Sequence, residues 1–173
     1  MARSVGRVWE GDMLEARFEQ WSVRLCAVLV AALQEVASVF GDSHTFAALD
    51  LGCFPWLGSL ELSLLTAEEF QADPGLNDVE EVASWRYHAV NDDLESWRGA
   101  ADLEQSMKAA YDGSGQERQR VARGFMRACA RAMADPGVQS ALCLLSRHSQ
   151  FRVYVVHPDT GESFYPLEST DVP

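Results

Sequence analysis

The sequence lacks the short motifs by which most enzyme families are recognised. It contains no H-E-x-x-H pair, no G-x-S-x-G turn, no glycine loop that could cradle a phosphate and no dinucleotide fingerprint. No two of its four histidines share one helix face at a spacing of four residues, as a zinc-binding pair would. We therefore predict a protein without catalytic residues, a metal or a cofactor.

Cysteine is scarce and shows no pattern. The four cysteines, at positions 26, 53, 129 and 143, form no C-x-x-C pair and no dense framework. Cys26, Cys129 and Cys143 stand among apolar residues with helical spacing, where a buried free thiol behaves as a small hydrophobic side chain. We predict free thiols, and a zinc site or a disulfide is the alternative.

No apolar run reaches the roughly 20 residues that a membrane-spanning helix needs. The longest run, LCAVLVAAL at 25–33, also begins late for a signal peptide and follows several acidic residues. We therefore predict a cytoplasmic location.

Positive charge is in short supply. The chain has 14 Lys and Arg against 26 Asp and Glu, which gives a net charge of −12. Binding to nucleic acid needs clustered cations, so neither nucleic acid nor an anionic membrane surface is a predicted partner. A basic protein is a candidate partner, because a field of one sign steers a molecule of the opposite sign. The alternative is that the acidic charge serves solubility alone.

The chain is long enough for one self-sufficient domain. Its 173 residues, 47% of them hydrophobic, fit a single globular domain over 1–173 that buries about two-thirds of its unfolded surface. The last residues, 168–173, are predicted to form a loose tail.

Hydrophobic periodicity predicts an α+β fold. Apolar residues spaced by three and four positions predict a helix over about 13–40, with Trp21 and Leu25 buried on one stripe. Alternation predicts strands at 45–51 and 59–65. The other predicted elements are a helix ended by Gly113, a helix between Ser114 and Asp135, a helix that starts at Pro136, and a strand at 151–155. We predict a small antiparallel sheet with the long N-terminal helix and the C-terminal helical group packed on one face.

The connection between the first two strands is unusually apolar. It reads GCFPWLG from Gly52 to Gly58, whereas hairpin tips are usually small and polar. One interpretation is that the loop folds back and buries Phe54 and Trp56 over the end of the sheet. The other is that Phe54, Trp56 and Leu57 form an exposed patch for a partner or for a homodimer.

Asp50 is the most unusual single acid, because its neighbours in the first strand are apolar. A buried carboxylate must be hydrogen-bonded or paired, and we predict that it accepts N–H groups from the turn Gly52–Gly58. The alternative is a carboxyl group with a shifted pKa in a functional pocket near Asp50, Cys53 and Trp56.

Charge is distributed unevenly along the chain. Residues 118–131 contain five arginines and no acid, and four of the arginines share one helix face. We call these four the Arg face: Arg120, Arg123, Arg127 and Arg131. Residues 68–104, the acidic segment, contain eleven acids against Arg86 and Arg98. One interpretation is that the two regions pair with each other or face water; the other is that one of them docks a partner.

The acidic segment is the better docking candidate because it also contains aromatic residues. In protein interfaces, aromatic side chains supply anchors and surrounding charges steer association. The predicted partner-binding residues are Glu80, Glu81, Trp85, Tyr87, Asp92, Asp93 and Trp97.

Two stretches also carry a family resemblance. LDLGCFPWLGSLELSLLTAEEF, followed by DVEEVASWRY, resembles small uncharacterised bacterial DUF4303-like domains, which show a similar strand, Pro-Trp loop, strand and acidic W-R/K-Y segment. Some of these genes lie near polymorphic toxin loci and are proposed to encode immunity proteins. The resemblance covers the central part of the chain and the arrangement of helices, brings no catalytic residue and implies a non-enzymatic role.

The resulting hypothesis is a cytoplasmic protein-binding module of the immunity type, monomeric or homodimeric, that occludes a basic toxin or other basic partner. The alternatives are a small enzyme or ligand-binding domain with the pocket near Asp50, and a structural subunit that dimerises through its apolar loop.

Overall fold

A computed structural model describes residues 5–41 and 43–167, with side chains from Met13 onwards. The predicted loose tail at 168–173 lies outside the described residues. The described chain forms five α-helices and three strands, and four short 3-10 helices connect α2 to α3. The α-helices and strands are α1 (Val5–Phe40), β1 (Phe46–Phe54), β2 (Ser59–Thr66), α2 (Ala67–Ala72), α3 (Ala101–Gly113), α4 (Arg118–Ala134), α5 (Pro136–Leu142) and β3 (Arg147–Tyr154). The predicted α+β class is confirmed.

The sheet has the strand order β2-β1-β3. β1 and β2 pair in antiparallel fashion around the tight turn between Phe54 and Ser59, as predicted. β3 pairs with β1 in parallel, so the sheet is mixed rather than antiparallel throughout. The physical reason is the long helical connection through α3, α4 and α5, which lets the chain re-enter the sheet in its original direction. Side-chain alternation indicates which face of a strand is buried. It does not indicate whether the neighbouring strand runs parallel or antiparallel to it.

The main core lies between the sheet and the helices. The inward positions of the hairpin pack against α1 and α4, and the most deeply buried of them are Leu49, Leu51, Leu60, Leu62 and Leu64. The predicted burial of Trp21 and Leu25 is confirmed, with exposed fractions of 5% and 0%. The Trp21 indole N–H also donates to the Leu103 carbonyl at 3.1 Å, which ties α1 to α3.

Helix α1 starts at Val5, so the predicted start near residue 13 is wrong. The segment from Val5 to Asp12 contains no proline, and each of its two glycines costs a helix only about 1 kcal/mol. Asp12 can cap the start of a helix, but it lies within α1 because no residue before it stops the helix.

Helix α1 also contains a stretch of membrane-spanning length. Met13–Phe40 covers 28 residues and contains an 18-residue window with a mean hydropathy of 1.8, which meets the length and composition of a membrane span and no more. The core helix of a soluble protein passes the same test. In this structure the apolar stripe of α1 packs against α4 and α5. The cytoplasmic location stays a prediction.

The opposite face of the sheet carries a smaller core. Ala48, Leu65 and Trp85 are buried there, with Phe70 and Tyr154 packed beside them. α2 and the 3-10 helices that follow it cover this part of the sheet. The cover ends before the turn of the hairpin, and this leaves the site described below.

Helix α4 lies close to the Phe18 ring of α1 at Gly124. A Cβ atom at this position would lie 2.2 Å from the Phe18 ring, which is itself buried edge-on against Phe125 at 5.0 Å. Alanine would gain about 1 kcal/mol of helix propensity, but overpacking a core costs roughly 1–3 kcal/mol. We therefore expect Gly124→Ala to lower the free energy of unfolding by up to about 2 kcal/mol in urea denaturation.

The matched control is Gly113→Ala at the end of α3, where an added Cβ would meet nothing within 4 Å. This variant should be at least as stable as wild type. Equal stability of the two variants would show that α1 and α4 are not in close contact at Phe18.

Candidate functional site

A cavity of about 410 Å³ opens on the sheet face that α1 does not cover. Its walls are β1, β2, the 3-10 helix Val79–Ser84 and the turn at 156–161. Because side chains alternate along a strand, Leu49, Leu51 and Cys53 enter the main core and Asp50 points into this cavity. We call it the Asp50 cavity.

Asp50 lies at the floor of the cavity with 7% of its surface exposed. Its carboxylate has no hydrogen bond to any described residue, so the predicted bonds from the turn Gly52–Gly58 are wrong. The reason is that β1 continues as a strand to Phe54, and the N–H groups of Leu57 and Gly58 donate to the Phe54 carbonyl at 3.0 and 2.9 Å. The turn therefore satisfies its own donors.

Burial raises the pKa of Asp50 to about 7, and the nearby charge of Glu61 adds to this rise. Both effects disfavour the charged carboxylate. At neutral pH this group therefore exists in protonated and ionised forms of similar abundance. A cation that enters the cavity favours the ionised form of this carboxyl group and lowers its pKa.

Two histidines and three further acids line the cavity around Asp50. His88 Nε2 lies 3.6 Å from a carboxylate oxygen of Glu61 on β2. His157 Nδ1 accepts a hydrogen bond from the Asp159 amide at 3.2 Å, and the fourth acid is Glu80. Among the residues that line the cavity there is no Lys or Arg. The site is therefore acidic and suits a positively charged group.

The alternative prediction places a pocket near Asp50, Cys53 and Trp56, but these three residues do not line one cavity. Cys53 is buried on the other side of the sheet, where its thiol donates to the Met107 sulfur at 3.7 Å. Trp56 lies behind the cavity, with its ring 5.9 Å from that of His157. Of these three residues, only Asp50 lines the cavity. Neighbours in sequence were expected to share a site, but alternation along β1 puts residues 50 and 53 on opposite faces.

The apolar loop is mostly packed. Trp56 is half-buried against the main core, with its ring 6.0 Å from Phe54 and 6.4 Å from Tyr111. Leu57 is the exposed part, at 65%. The predicted patch of Phe54, Trp56 and Leu57 therefore reduces to one exposed leucine in this structure.

The predicted partner-binding residues separate into exposed acids and covered aromatics. Trp85 and Trp97 are only 3% and 7% exposed, so neither ring is available as a surface anchor. Trp85 fills the smaller core and donates to the Leu76 carbonyl at 2.7 Å, whereas Trp97 joins the main core. Tyr87 is half-buried, with its hydroxyl 2.7 Å from a ring nitrogen of His44. The exposed members are Glu80, Glu81, Asp92 and Asp93.

The Arg face does not neutralise the acidic segment. Arg120 pairs with Glu117 at 3.7 Å and Arg123 with Glu162 at 2.8 Å, both outside residues 68–104. No ion pair among the described residues joins the two regions, so they do not pair with each other. Most acids of the segment are exposed, as the other form of that interpretation, in which they face water, requires. Among the described residues, ion pairs involve three acids of the segment: Glu68 with Arg86, Glu95 with Arg98, and Asp102 with Arg24.

The cysteines are free thiols in different surroundings. Cys53 and Cys129 are buried and Cys26 is half-buried, whereas Cys143 is exposed, which corrects its predicted burial. Burial raises the pKa of Cys26 to about 11, so this thiol is protonated at neutral pH. Within the part of the chain that the structure describes, no group of three or more His, Cys, Asp or Glu side chains could hold a metal ion.

Sequence reasoning identified Asp50 but missed the residues that share its cavity. Glu61, His88 and His157 come from β2, from the segment after the second 3-10 helix and from the turn after β3. No motif links these positions. Comparison of the chain with models of known protein families, with curated proteins and with solved structures found no match.

Proposed function

We propose that the protein is a non-enzymatic cytoplasmic binding module that recognises a basic partner through its acidic segment. The observation that carries the proposal is a set of exposed acids in no ion pair with a described residue. Six acids of the segment meet this description: Asp73, Asp78, Glu80, Glu81, Asp92 and Asp93. The two ion-paired residues of the Arg face, Arg120 and Arg123, pair with acids outside the segment. A surface of this kind attracts a basic protein over several ångströms before contact.

The acids act by steering rather than by anchoring. Because Trp85 and Trp97 are buried, association depends on charge, and contact is made by a polar, exposed surface. To block a basic active surface by covering it, this chain needs no catalytic residue. The resemblance to DUF4303-like domains supports the more specific form of the proposal, an immunity-type protein whose partner is a toxin.

The first test neutralises four exposed acids together. The variant carries Glu80→Gln, Glu81→Gln, Asp92→Asn and Asp93→Asn. Its association rate constant with the basic partner at low salt should fall by at least about tenfold, because electrostatic steering raises association rates by 10–10³. The difference from wild type should shrink as salt is added, since exposed charges are screened within about 10 Å at 0.1 M. A pull-down from the native host supplies the partner, and stopped-flow or surface-plasmon measurements supply the rates.

The matched control removes four exposed acids outside the acidic segment and so changes the net charge equally. It carries Glu15→Gln, Glu19→Gln, Asp112→Asn and Glu117→Gln. This control should associate nearly as fast as wild type. If the segment variant also binds at the wild-type rate in low salt, the acidic segment serves solubility and the proposal fails.

A further inference from the structure

We propose that the Asp50 cavity is a binding site for an organic cation, an ammonium or guanidinium group on an aliphatic stem. Asp50 supplies the counter-charge at the floor, and the surrounding acids hold the remaining N–H groups. This site is separate from the exposed acids of the acidic segment, apart from Glu80 at its rim.

The first observation is a buried carboxylate to which no described residue donates a hydrogen bond. Asp50 is more than nine-tenths buried, it lines the cavity, and no described residue donates a hydrogen bond to it. A buried polar group without a partner costs free energy, and a buried carboxylate costs more than a neutral group. A bound cation removes this cost, because it supplies both the opposite charge and the donors.

The second observation is the charge of the walls. Glu61 lines the cavity from β2 and its charge acts on Asp50. Glu80 lines it from the 3-10 helix Val79–Ser84, and Asp159 from the turn after β3. His88 and His157 complete the titratable lining, and none of the described lining residues is a Lys or Arg. Three elements therefore contribute acids to the cavity.

The third observation is the shape of the site. The Phe54 ring lies across Gly52, since a Cβ at residue 52 would approach it to 2.8 Å and would lie 3.5 Å from an Asp50 oxygen. Glycine thus leaves the floor open beside the carboxylate. Val82, Val156 and Pro158 supply apolar wall that suits a hydrocarbon stem. A volume of about 410 Å³ admits a small molecule or one long side chain.

These walls favour an organic cation over a metal ion. A metal needs several ligands converging within about 2–2.6 Å, and no group of three or more suitable side chains in the described chain could hold one. An ammonium or guanidinium group needs only spaced acceptors and tolerates apolar surroundings along its stem.

Two sources can present this chemistry, a free amine or guanidine and an Arg or Lys side chain of a basic protein. The second source rests on the proposed function. The test therefore uses butylguanidinium as the free cation and acetyl-Gly-Arg-Gly-amide as the side-chain probe. Butylurea and acetyl-Gly-citrulline-Gly-amide are their neutral counterparts.

Isothermal titration calorimetry in an amine-free buffer at pH 8 measures the binding. Wild type should bind at least one cationic probe saturably and neither neutral counterpart. Asp50→Asn should weaken that binding by at least about tenfold, because it removes the charge from the floor of the site. Asp112→Asn, an exposed acid on α3 away from the cavity, should bind as wild type does. Tighter binding of butylguanidinium would indicate a small-molecule site, and tighter binding of the peptide a partner side chain.

Binding should also depend on pH through Asp50. Affinity should fall from pH 8 to pH 6, because the buried carboxylate gains a proton and loses its charge. Asp50→Asn lacks this proton uptake, so the pH dependence of its binding should be shallower.

The proposal fails if wild type binds neither cationic probe, or if Asp50→Asn binds them as tightly as wild type. Neither result would contradict the proposal that the acidic segment docks a basic partner. Conversely, a variant with Glu81→Gln, Asp92→Asn and Asp93→Asn keeps Glu80 at the cavity rim, so loss of steering in that variant tests the proposed function without changing the cavity.

Discussion

Replacing Leu25 by alanine is expected to lower the free energy of unfolding by about 2–5 kcal/mol. Leu25 is fully buried at the centre of the α1 stripe, where it lies in the main core with the sheet and α4. Truncation removes three carbon atoms, the Cγ methine and two methyl groups, and leaves a cavity that a helix in the centre of a packed core cannot easily fill. Urea denaturation monitored by tryptophan fluorescence measures the change.

Val23→Ala provides the control on the same helix. Val23 is 70% exposed and two residues from Leu25, so its truncation should change the stability by less than about 0.5 kcal/mol. If Leu25→Ala costs less than about 1 kcal/mol, the stripe of α1 is not the core of the fold.

Replacing Asp50 by asparagine is expected to make the protein more stable at pH 8. In the folded state, burial and Glu61 raise the pKa of Asp50 from its ordinary 3.8 to about 7. At about 1.36 kcal/mol per pKa unit, ionising the carboxyl in the folded protein costs up to about 4 kcal/mol that the unfolded chain does not bear. Asparagine has nearly the same shape and cannot ionise.

The sign of the pH dependence follows from the raised pKa. Between about pH 4 and pH 7 the folded protein holds a proton that the unfolded chain has lost, so stability falls as pH rises. The contribution of Asp50 is therefore full below about pH 4 and lost above about pH 7. The stability of Asp50→Asn relative to wild type should rise over this interval.

Urea denaturation at pH 5, 6, 7 and 8 in an amine-free buffer tests this expectation. An amine buffer is avoided because a cation bound in the cavity would stabilise the ionised carboxyl. Asp93→Asn, an exposed acid, is the control, and its difference from wild type should hardly vary with pH. Parallel curves for wild type and Asp50→Asn would show that Asp50 is solvated in the folded protein.

Much of the fold could be predicted because the residue pattern within one segment determines whether that segment forms a helix or a strand. The alternation of Leu60, Leu62 and Leu64 predicts a strand at 59–65, and the structure confirms it as β2. The true start of α1 could not be predicted, because capping residues permit a helix start without enforcing one. The direction of β3 depends on a partner strand about a hundred residues away, which no local pattern records.

The candidate site could be predicted only in part. Asp50 stands out because a carboxylate in an apolar strand is rare, and this holds whatever surrounds it. Its neighbours His88 and His157 are common polar residues until the fold brings them together. Trp85 and Trp97 were misplaced for a related reason: an aromatic residue in an acidic, aperiodic segment suits a surface anchor and a packing residue equally well.

The parallel pairing of β1 with β3 also sets the order in which the protein can be assembled during synthesis. β1 is the central strand, yet its second neighbour is made only after the whole segment 55–146. Until then the newly made hairpin presents a free edge, and α1 presents an apolar stripe that awaits α4 and α5. Bringing such distant strands together closes a long loop and is a slow step. The excess of acidic residues opposes association through this edge, because chains that carry a large charge of the same sign repel one another.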